Sequence, residues 1–133
     1  MVRVSVGLHH PEPSWGSTRP GERAVFLELA AGKALDKASP KLMLACASGN
    51  HLSDATLVAR KAGSDFSYFE IQLRDVLIAS TSVEGTVENE RPTETLTMTY
   101  SRIEWIYTET LADGSAGAVT RAGWDVVANT EVD

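Results

Sequence analysis

Cysteine, basic residues and long apolar runs are all scarce in this sequence, and each shortage excludes a class of protein. A single cysteine among 133 residues cannot form an internal disulfide. The mean hydropathy of −0.12 and the lack of a long apolar run exclude a membrane-spanning helix. Twelve Lys and Arg against eighteen Asp and Glu give a formal charge of −6, which opposes binding to nucleic acid or to an anionic membrane.

The length predicts one globular domain over residues 1–133. The first eight residues are too few to hold the apolar core of a secretory signal, and apolar and polar residues alternate in them. Val2, Val4 and Val6 alternate with polar residues, which predicts a short strand with one covered face. We therefore expect a protein that is made and folded in the cytosol.

The segment 34–63 carries the clearest local signals. Ser39 is predicted to be an N-cap, and Pro40 follows at the first helical position, where a missing N–H is tolerated. Residues 42–47 are apolar, and Gly49 can adopt the left-handed conformation that ends a helix. The sequence therefore predicts one short helix at about residues 40–48, followed by a strand over 55–62.

Two later segments alternate like strands and each changes face midway. Phe69, Ile71 and Leu73 share one face, whereas Val76 and Ile78 fall in the opposite phase, which predicts a bend near Arg74 and Asp75. The same change separates Leu96, Met98 and Tyr100 from Ile103, Trp105 and Tyr107. Strands of this kind predict a mainly β fold, either a small curved β-barrel or two packed sheets, with the helix on one side.

The remaining segments are predicted as follows. Residues 9–23 contain five Pro and Gly residues and form an extended loop with Trp15 as its large apolar anchor. Residues 24–31 fit either a strand or a short helix. Asp113 and Gly114 mark a hairpin turn, residues 122–127 form the last strand, and 130–133 form a polar tail that frays.

Three segments stand in a fixed order along the chain: residues 33–40 (KALDKASP), 44–49 (LACASG) and 60–63 (RKAG). Further segments follow at 68–80, 92–96, 102–105 and 122–125, with Asn129 near the end. Together they resemble the haemolysin-coregulated protein family, Hcp, the inner-tube subunit of the type VI secretion system. The resemblance covers residues 33–133, whereas residues 1–32 match poorly apart from 13–16 (PSWG). It also favours a strand over 24–31, because the family places one before its Lys-x-Leu-Asp-Lys run.

The resemblance implies a structural function. Six subunits would form a closed ring, and rings would stack into a tube that a contracting sheath propels into a neighbouring cell. The implied partners are further copies of the chain, the sheath and tip proteins, and small effector proteins in the lumen. Export would then follow without a cleaved signal peptide. The alternative from another class is a monomeric β-barrel binding module.

The candidate catalytic residues are Cys46, His51 and Asp54. They could form a nucleophile, its base and an orienting carboxylate. Cys46 lies among apolar residues in the middle of the predicted helix, where a thiol behaves as a small hydrophobe. The interpretation we favour is therefore structural. We predict no catalytic residue and no enzyme activity.

Metal, phosphate and ligand sites are weighed in the same way. His9, His10 and Glu12 are separated by prolines and lack a second ligand cluster, so no metal site is predicted. Residues 30–34 resemble a phosphate loop only faintly, and no cofactor is predicted. Trp105 and Trp124 are assigned to the core, with subunit contact as the alternative. The acidic residues Glu70, Asp75, Glu88 and Glu90 are assigned to a hydrated surface.

Overall fold

A computed structural model describes residues 3–11, 23–63, 66–85, 88 and 91–132. The described chain is mainly β, with one helix and many strands, as predicted. It divides into two compact units. Unit 1 comprises residues 1–51 and 77–99, and unit 2 comprises residues 52–76 and 100–133.

Unit 1 is built on an antiparallel sheet. Its strands are β1 (Arg3–Ser5), β4 (Leu29–Ala34), β7 (Thr93–Thr99) and the second part of β6 (Ser67–Glu84), in the order β1-β4-β7-β6. A separate two-stranded ribbon joins β2 (Leu8–His9) to β3 (Val25–Phe26). The helix α1 (Ser39–Ser48) follows β4.

Unit 2 is a second antiparallel sheet. It contains β5 (Leu52–Arg60), the first part of β6, β8 (Arg102–Thr110), β9 (Ala116–Asp125) and β10 (Thr130–Glu131), in the order β5-β6-β8-β9-β10. Among the described residues neither unit closes into a barrel. Each unit forms an open sheet, so the β-barrel alternative is not found.

Each unit has its own apolar interior. In unit 1 the buried apolar residues are Leu29, Ala31, Ile78, Leu96 and Met98. In unit 2 they are Ile71, Leu73, Val76, Ile103 and Ile106. The predicted change of face along β6 is therefore confirmed. In β8 the prediction is wrong at its end, because Tyr107 is 51% exposed and its neighbour Ile106 is buried instead.

The bend in β6 lies at Asp75, as predicted. Its φ of 52° is the left-handed conformation, which side chains rarely adopt, although Asp tolerates it better than most residues. The hydroxyl of Ser101 donates to the Asp75 carboxylate at 2.7 Å, and the Ser101 amide donates to the Arg74 carbonyl at 3.0 Å. These bonds hold the bend against the loop that precedes β8.

Two boundaries differ from the predictions. The strand predicted over 24–31 is two strands, β3 and β4, in different sheets. The predicted tail at 130–133 contains β10, and Val132 donates its amide to the Gly123 carbonyl at 3.1 Å. Val4 lies in β1, where the sequence predicts a strand, and it pairs with Ala31 of β4. Trp15 lies outside the described residues.

The two ends of α1 differ in how well the sequence predicts them. The N-cap is Ala38 rather than Ser39, and Ser39 is the first helical residue with its hydroxyl directed elsewhere. At the other end Gly49 is left-handed with φ 68°, and its amide donates to the carbonyls of Ala45 and Cys46. The predicted stop is therefore confirmed.

We expect Gly49→Ala to lower the free energy of unfolding by about 1 kcal/mol, because an L-residue is disfavoured in the left-handed conformation. No neighbouring atom lies within 4 Å of a Cβ added there, so the loss reports backbone strain without a clash. Urea unfolding measures it. Gly49→Asn is the control and should lose less, because Asn tolerates this conformation. Equal stability of Gly49→Ala and the wild type would contradict the assignment.

Candidate assembly interface

A buried ion pair ties the segment before α1 to strand β7. The Lys33 ammonium lies 2.7 Å from a carboxylate oxygen of Glu94, whose side chain is fully buried. The Ser39 hydroxyl donates to the same carboxylate at 2.7 Å and is itself 3.1 Å from the Lys33 ammonium. We call these three residues the Lys33–Glu94 network. Since Ser39 opens α1, the network fixes where the helix starts relative to the sheet of unit 1.

Asp36 extends this arrangement to the protein surface. Its carboxylate accepts from the Lys33 ammonium at 3.0 Å and from the Ala38 amide at 2.9 Å. The Asp36 amide in turn donates to the Ser39 hydroxyl at 3.1 Å. The segment between β4 and α1 is therefore held by side-chain bonds at several successive residues.

The charges in this segment shift two pKa values in opposite directions. The hydrogen bond from Lys33, followed by that from the Ala38 amide, lowers the pKa of Asp36 below its ordinary 3.8. Burial alone would lower the pKa of Lys33, but the hydrogen bonds and charges of Glu94 and Asp36 together outweigh it and raise the pKa above 10.5. The stability from Asp36 is thus present above its unfolded pKa and is lost on acidification. The stability from Lys33 is present below pH 10.5 and is lost as pH rises through its raised pKa.

We expect Asp36→Asn to flatten the acid side of the stability curve. Between about pH 5 and pH 2 the melting temperature of the wild type should fall more steeply than that of the variant, because only the wild type must protonate a carboxylate whose pKa is lowered by folding. Thermal unfolding over this range measures the difference. Parallel curves would show that Asp36 contributes nothing.

Among the described residues the sheet of unit 1 has two open edges. One is β1, and the other is the second part of β6, residues 77–84, where no second strand pairs among the described residues. The sheet has four strands and every neighbouring pair is antiparallel, so its two end strands run in opposite directions. A copy placed beside it head to tail would therefore continue an antiparallel sheet.

The sheet of unit 2 has the same property. Its open edges are β5 and residues 116–122 of β9, because β10 covers only the end of β9 within the described chain. From β5 through β6 and β8 to β9 there are again four antiparallel strands, so the end strands run in opposite directions. Val58 and Val119 lie on these two edges and are 52% and 55% exposed.

The two faces of the unit 1 sheet differ sharply in composition. One face carries the buried residues, including Leu29, Leu96, Met98 and Glu94. The register places the following side chains on the other face, which we call the small-residue face: Arg3, Ser5, Ala30, Gly32, Ala34, Leu77, Ser80, Ser82, Glu84, Thr93, Thr95, Thr97 and Thr99. Apart from Arg3, Leu77 and Glu84, all of them are Ala, Gly, Ser or Thr. Another surface can therefore approach this face closely.

Apolar residues are also exposed on both faces of the β2–β3 ribbon. Leu8 is 50% exposed on one face, and Val25 and Leu27 are 38% and 52% exposed on the other. The Leu27 amide donates to the Gly7 carbonyl at 2.9 Å and extends the pairing. A two-stranded ribbon is only marginally stable in water by itself, so this one is suited to contact with another protein surface.

The residues weighed as catalytic do not form a site. Cys46 is half-buried within α1, whereas His51 is exposed beyond the helix end and Asp54 is exposed in β5. The Asp54 carboxylate accepts from Ser53 at 3.0 Å rather than orienting an imidazole.

The other weighed residues are placed as follows. His9 is exposed in β2 and His10 follows it, while Glu12 lies outside the described residues. Within the described ranges no group of three or more potential metal ligands is found. Residues 30–34 belong to β4 and form no loop. Trp105 and Trp124 are half-buried in unit 2, Asp75 and Glu88 are exposed, and Glu70 is half-buried. Glu90 is not described.

Sequence reasoning missed the Lys33–Glu94 network. Glu94 is two residues from Leu96 and four from Met98, so it shares their face of β7 and is buried with them. That parity was the available signal, because an acidic residue in phase with buried apolar residues requires a partner.

In the described part of the chain no helix is long and apolar enough to cross a bilayer.

Comparisons with known proteins show to which family the chain belongs. The sequence model of the family described as type VI secretion system effector, Hcp, matches residues 2–107. Hcp1 of Pseudomonas aeruginosa is 36% identical over 107 residues, which cover 78% of this chain and 66% of that protein. The chain thus spans just under two thirds of the length of this relative.

Two solved structures share the fold. A type six secretion system protein superimposes with a TM-score of 0.86 at 26% identity, covering 98% of this chain and 84% of the other. Hcp1 from Salmonella typhimurium has a TM-score of 0.79 at 28% identity, covering 98% and 82%. Taken with the family match over residues 2–107, these likenesses show that the chain belongs to the Hcp family of the type VI secretion system.

Proposed function

We propose that this chain is a structural subunit of the type VI secretion tube and not an enzyme. In this proposal residues 1–133 act as one Hcp-like domain that forms rings of six, and the rings stack into the injected tube. The sheath and tip proteins and small effectors in the lumen are its partners, and it leaves the cell without a cleaved signal peptide. The proposal includes no catalytic, metal or cofactor site.

The observation that carries the proposal is the direction of the edge strands. Within the described ranges, β1 and the second part of β6 in unit 1 are open and antiparallel to each other, and in unit 2 the same holds for β5 and residues 116–122 of β9. Head-to-tail association pairs one open edge with the other, and a contact of this heterologous kind closes into a ring when the rotation permits. Ring closure also removes edges that would otherwise invite aggregation.

The two faces of the unit 1 sheet differ, and this difference indicates which face would line the lumen of a ring. Glu94 lies on the same face of β7 as the buried Leu96 and Met98, and Ser39 of α1 bonds to it. The helix therefore starts on the buried face. In a ring closed through this sheet, the opposite face is the one left to line the lumen, and this is the small-residue face. A lumen of short hydroxyl side chains leaves room for a passenger protein.

Stacking needs a surface that ring closure does not use. The β2–β3 ribbon provides one, since Leu8, Val25 and Leu27 are exposed there and the ribbon takes no part in the larger sheets. We assign this apolar surface to contact between successive rings. Burial of such side chains is favourable by about 25 cal/mol per Å² of apolar surface.

The proposal is tested by measuring the mass of the protein in solution after one edge residue at a time has been changed. Val83→Lys in β6 and Val119→Lys in β9 place a charge on an open edge, which opposes strand addition. Val127→Lys is the matched control, because Val127 is 71% exposed and lies outside the strands. Size-exclusion chromatography with light scattering should give about six subunits for the wild type and the control, and mainly monomer for the edge variants. A wild type that remains monomeric at all accessible concentrations would contradict the proposal and favour a monomeric binding module.

A further inference from the structure

A recess of about 330 Å³ lies on the small-residue face of unit 1. It is lined by Arg3, Ser5, Ala30, Ala31, Gly32 and Thr95. This volume is at the lower end of the range for small-molecule sites. It suits one or two side chains of a polypeptide better than a large cofactor.

Gly32 lines the recess and adds no side chain to it. Gly32 lies directly opposite Arg3 across the β1–β4 pair and opposite Thr95 across the β4–β7 pair. Its φ is not in the left-handed region, so the backbone conformation does not require glycine there. A Cβ added at this position would have only the Arg3 Cβ within 4 Å, at 3.9 Å. A larger residue would therefore fit the fold, and it would occupy part of the recess.

The chemistry of the lining favours an anion with two oxygens. Arg3 is the only charged residue among the lining residues, and it is exposed and forms no ion pair with the described residues. Its guanidinium presents donors in a planar fork that matches a carboxylate. The hydroxyl groups of Ser5 and Thr95 add neutral donors beside it.

We infer that this recess is a subsite for a carboxylate of a polypeptide carried by the tube, either an Asp or Glu side chain or a chain end. The inference rests on the proposed function, which places the small-residue face in the lumen. In a ring the subsite is repeated once per subunit, so a passenger with several carboxylates engages several copies at once. Repetition raises the overall affinity even where each contact is weak.

The experiment uses a fluorescein-labelled octapeptide of alternating Glu and Gly, with the Gln analogue as its uncharged counterpart. Fluorescence anisotropy measures binding to the wild type, Arg3→Gln, Gly32→Val and Lys41→Gln. The first variant removes the charge and the second occupies part of the recess, whereas the third removes an exposed cation of α1. We expect about tenfold weaker binding for Arg3→Gln and for Gly32→Val, which is the scale of one charge-assisted hydrogen bond. We expect no change for Lys41→Gln. The Gln peptide should bind the wild type about tenfold more weakly than the Glu peptide.

Light scattering on the same samples separates failure of this inference from failure of the proposed function. Rings that form normally while Arg3→Gln binds the Glu peptide as tightly as the wild type would overturn the subsite and leave the tube intact. A chain that never exceeds a monomer overturns the tube, and the comparison of Arg3→Gln with the wild type then still decides whether the recess binds carboxylate. An oligothymidylate that displaces the peptide and depends on Arg3 more strongly than the peptide does would overturn the assignment to carboxylate in favour of phosphate.

Discussion

Glu94→Ala is expected to lower the free energy of unfolding by about 3–5 kcal/mol, since removing one partner of a buried ion pair leaves the other charge without compensation. The Glu94 side chain is fully buried and that of Lys33 is 12% exposed, so water cannot replace the lost carboxylate well. Ser39 loses its acceptor as well. Such a loss is a large part of the 5–15 kcal/mol that stabilises a typical domain. Urea unfolding followed by circular dichroism measures it.

Glu104→Ala is the matched control for this prediction. Glu104 also lies in a strand and also faces a cation, but its carboxylate is 3.9 Å from Arg102 and the two side chains are 28% and 41% exposed. A partly exposed pair at this distance contributes about 0–1 kcal/mol. Equal losses in the two variants would show that burial of Glu94 does not matter.

The double variant Lys33→Met with Glu94→Leu tests the mechanism. Replacing both charges by apolar residues of similar size removes the uncompensated charge, so most of the stability lost in Glu94→Ala should return. A double variant as unstable as the single one would point to the Ser39 hydroxyl, which loses its acceptor in both. The coupling between the two sites is then read from the double-mutant cycle.

The parts of the fold predicted correctly from the sequence depend on short-range patterns. Pro40 and Gly49 mark the helix because they act through their own backbone conformations, and the bend at Asp75 is visible as a change of hydrophobic phase within one strand. The Lys33–Glu94 network is different, because Ser39 and Glu94 are 55 residues apart in the sequence. Ser39 has two uses that look alike in sequence, as an N-cap or as a donor to a distant carboxylate. Only the pairing of β4 with β7 decides between them.

The open edges of the two sheets could not be predicted from local patterns. The sequence predicts strands that overlap β5, β6 and β9, but it does not say which of them lie at the ends of a sheet. That depends on the strand order, and the same order determines that the end strands run in opposite directions. Gly32 shows the limit again, because the residues opposite it, Arg3 and Thr95, come from strands far apart in the chain. The resemblance to the Hcp family rests on the order of several short segments along the chain, and the family match confirms that resemblance.

Leu29→Ala is expected to lower the free energy of unfolding by about 2–5 kcal/mol, because it removes buried methyl groups and leaves a cavity. Leu29 is fully buried at the start of β4 and pairs in register with Met98 of β7, which is itself buried. The control is Leu44→Ala, the same change at a residue of α1 that is 67% exposed. It should stay within about 0.5 kcal/mol of the wild type, since little apolar surface is lost and alanine favours helix. Chemical unfolding of both variants at one protein concentration gives the comparison, and a loss at Leu44 as large as that at Leu29 would mean that the exposed face of α1 is covered in the folded protein in solution.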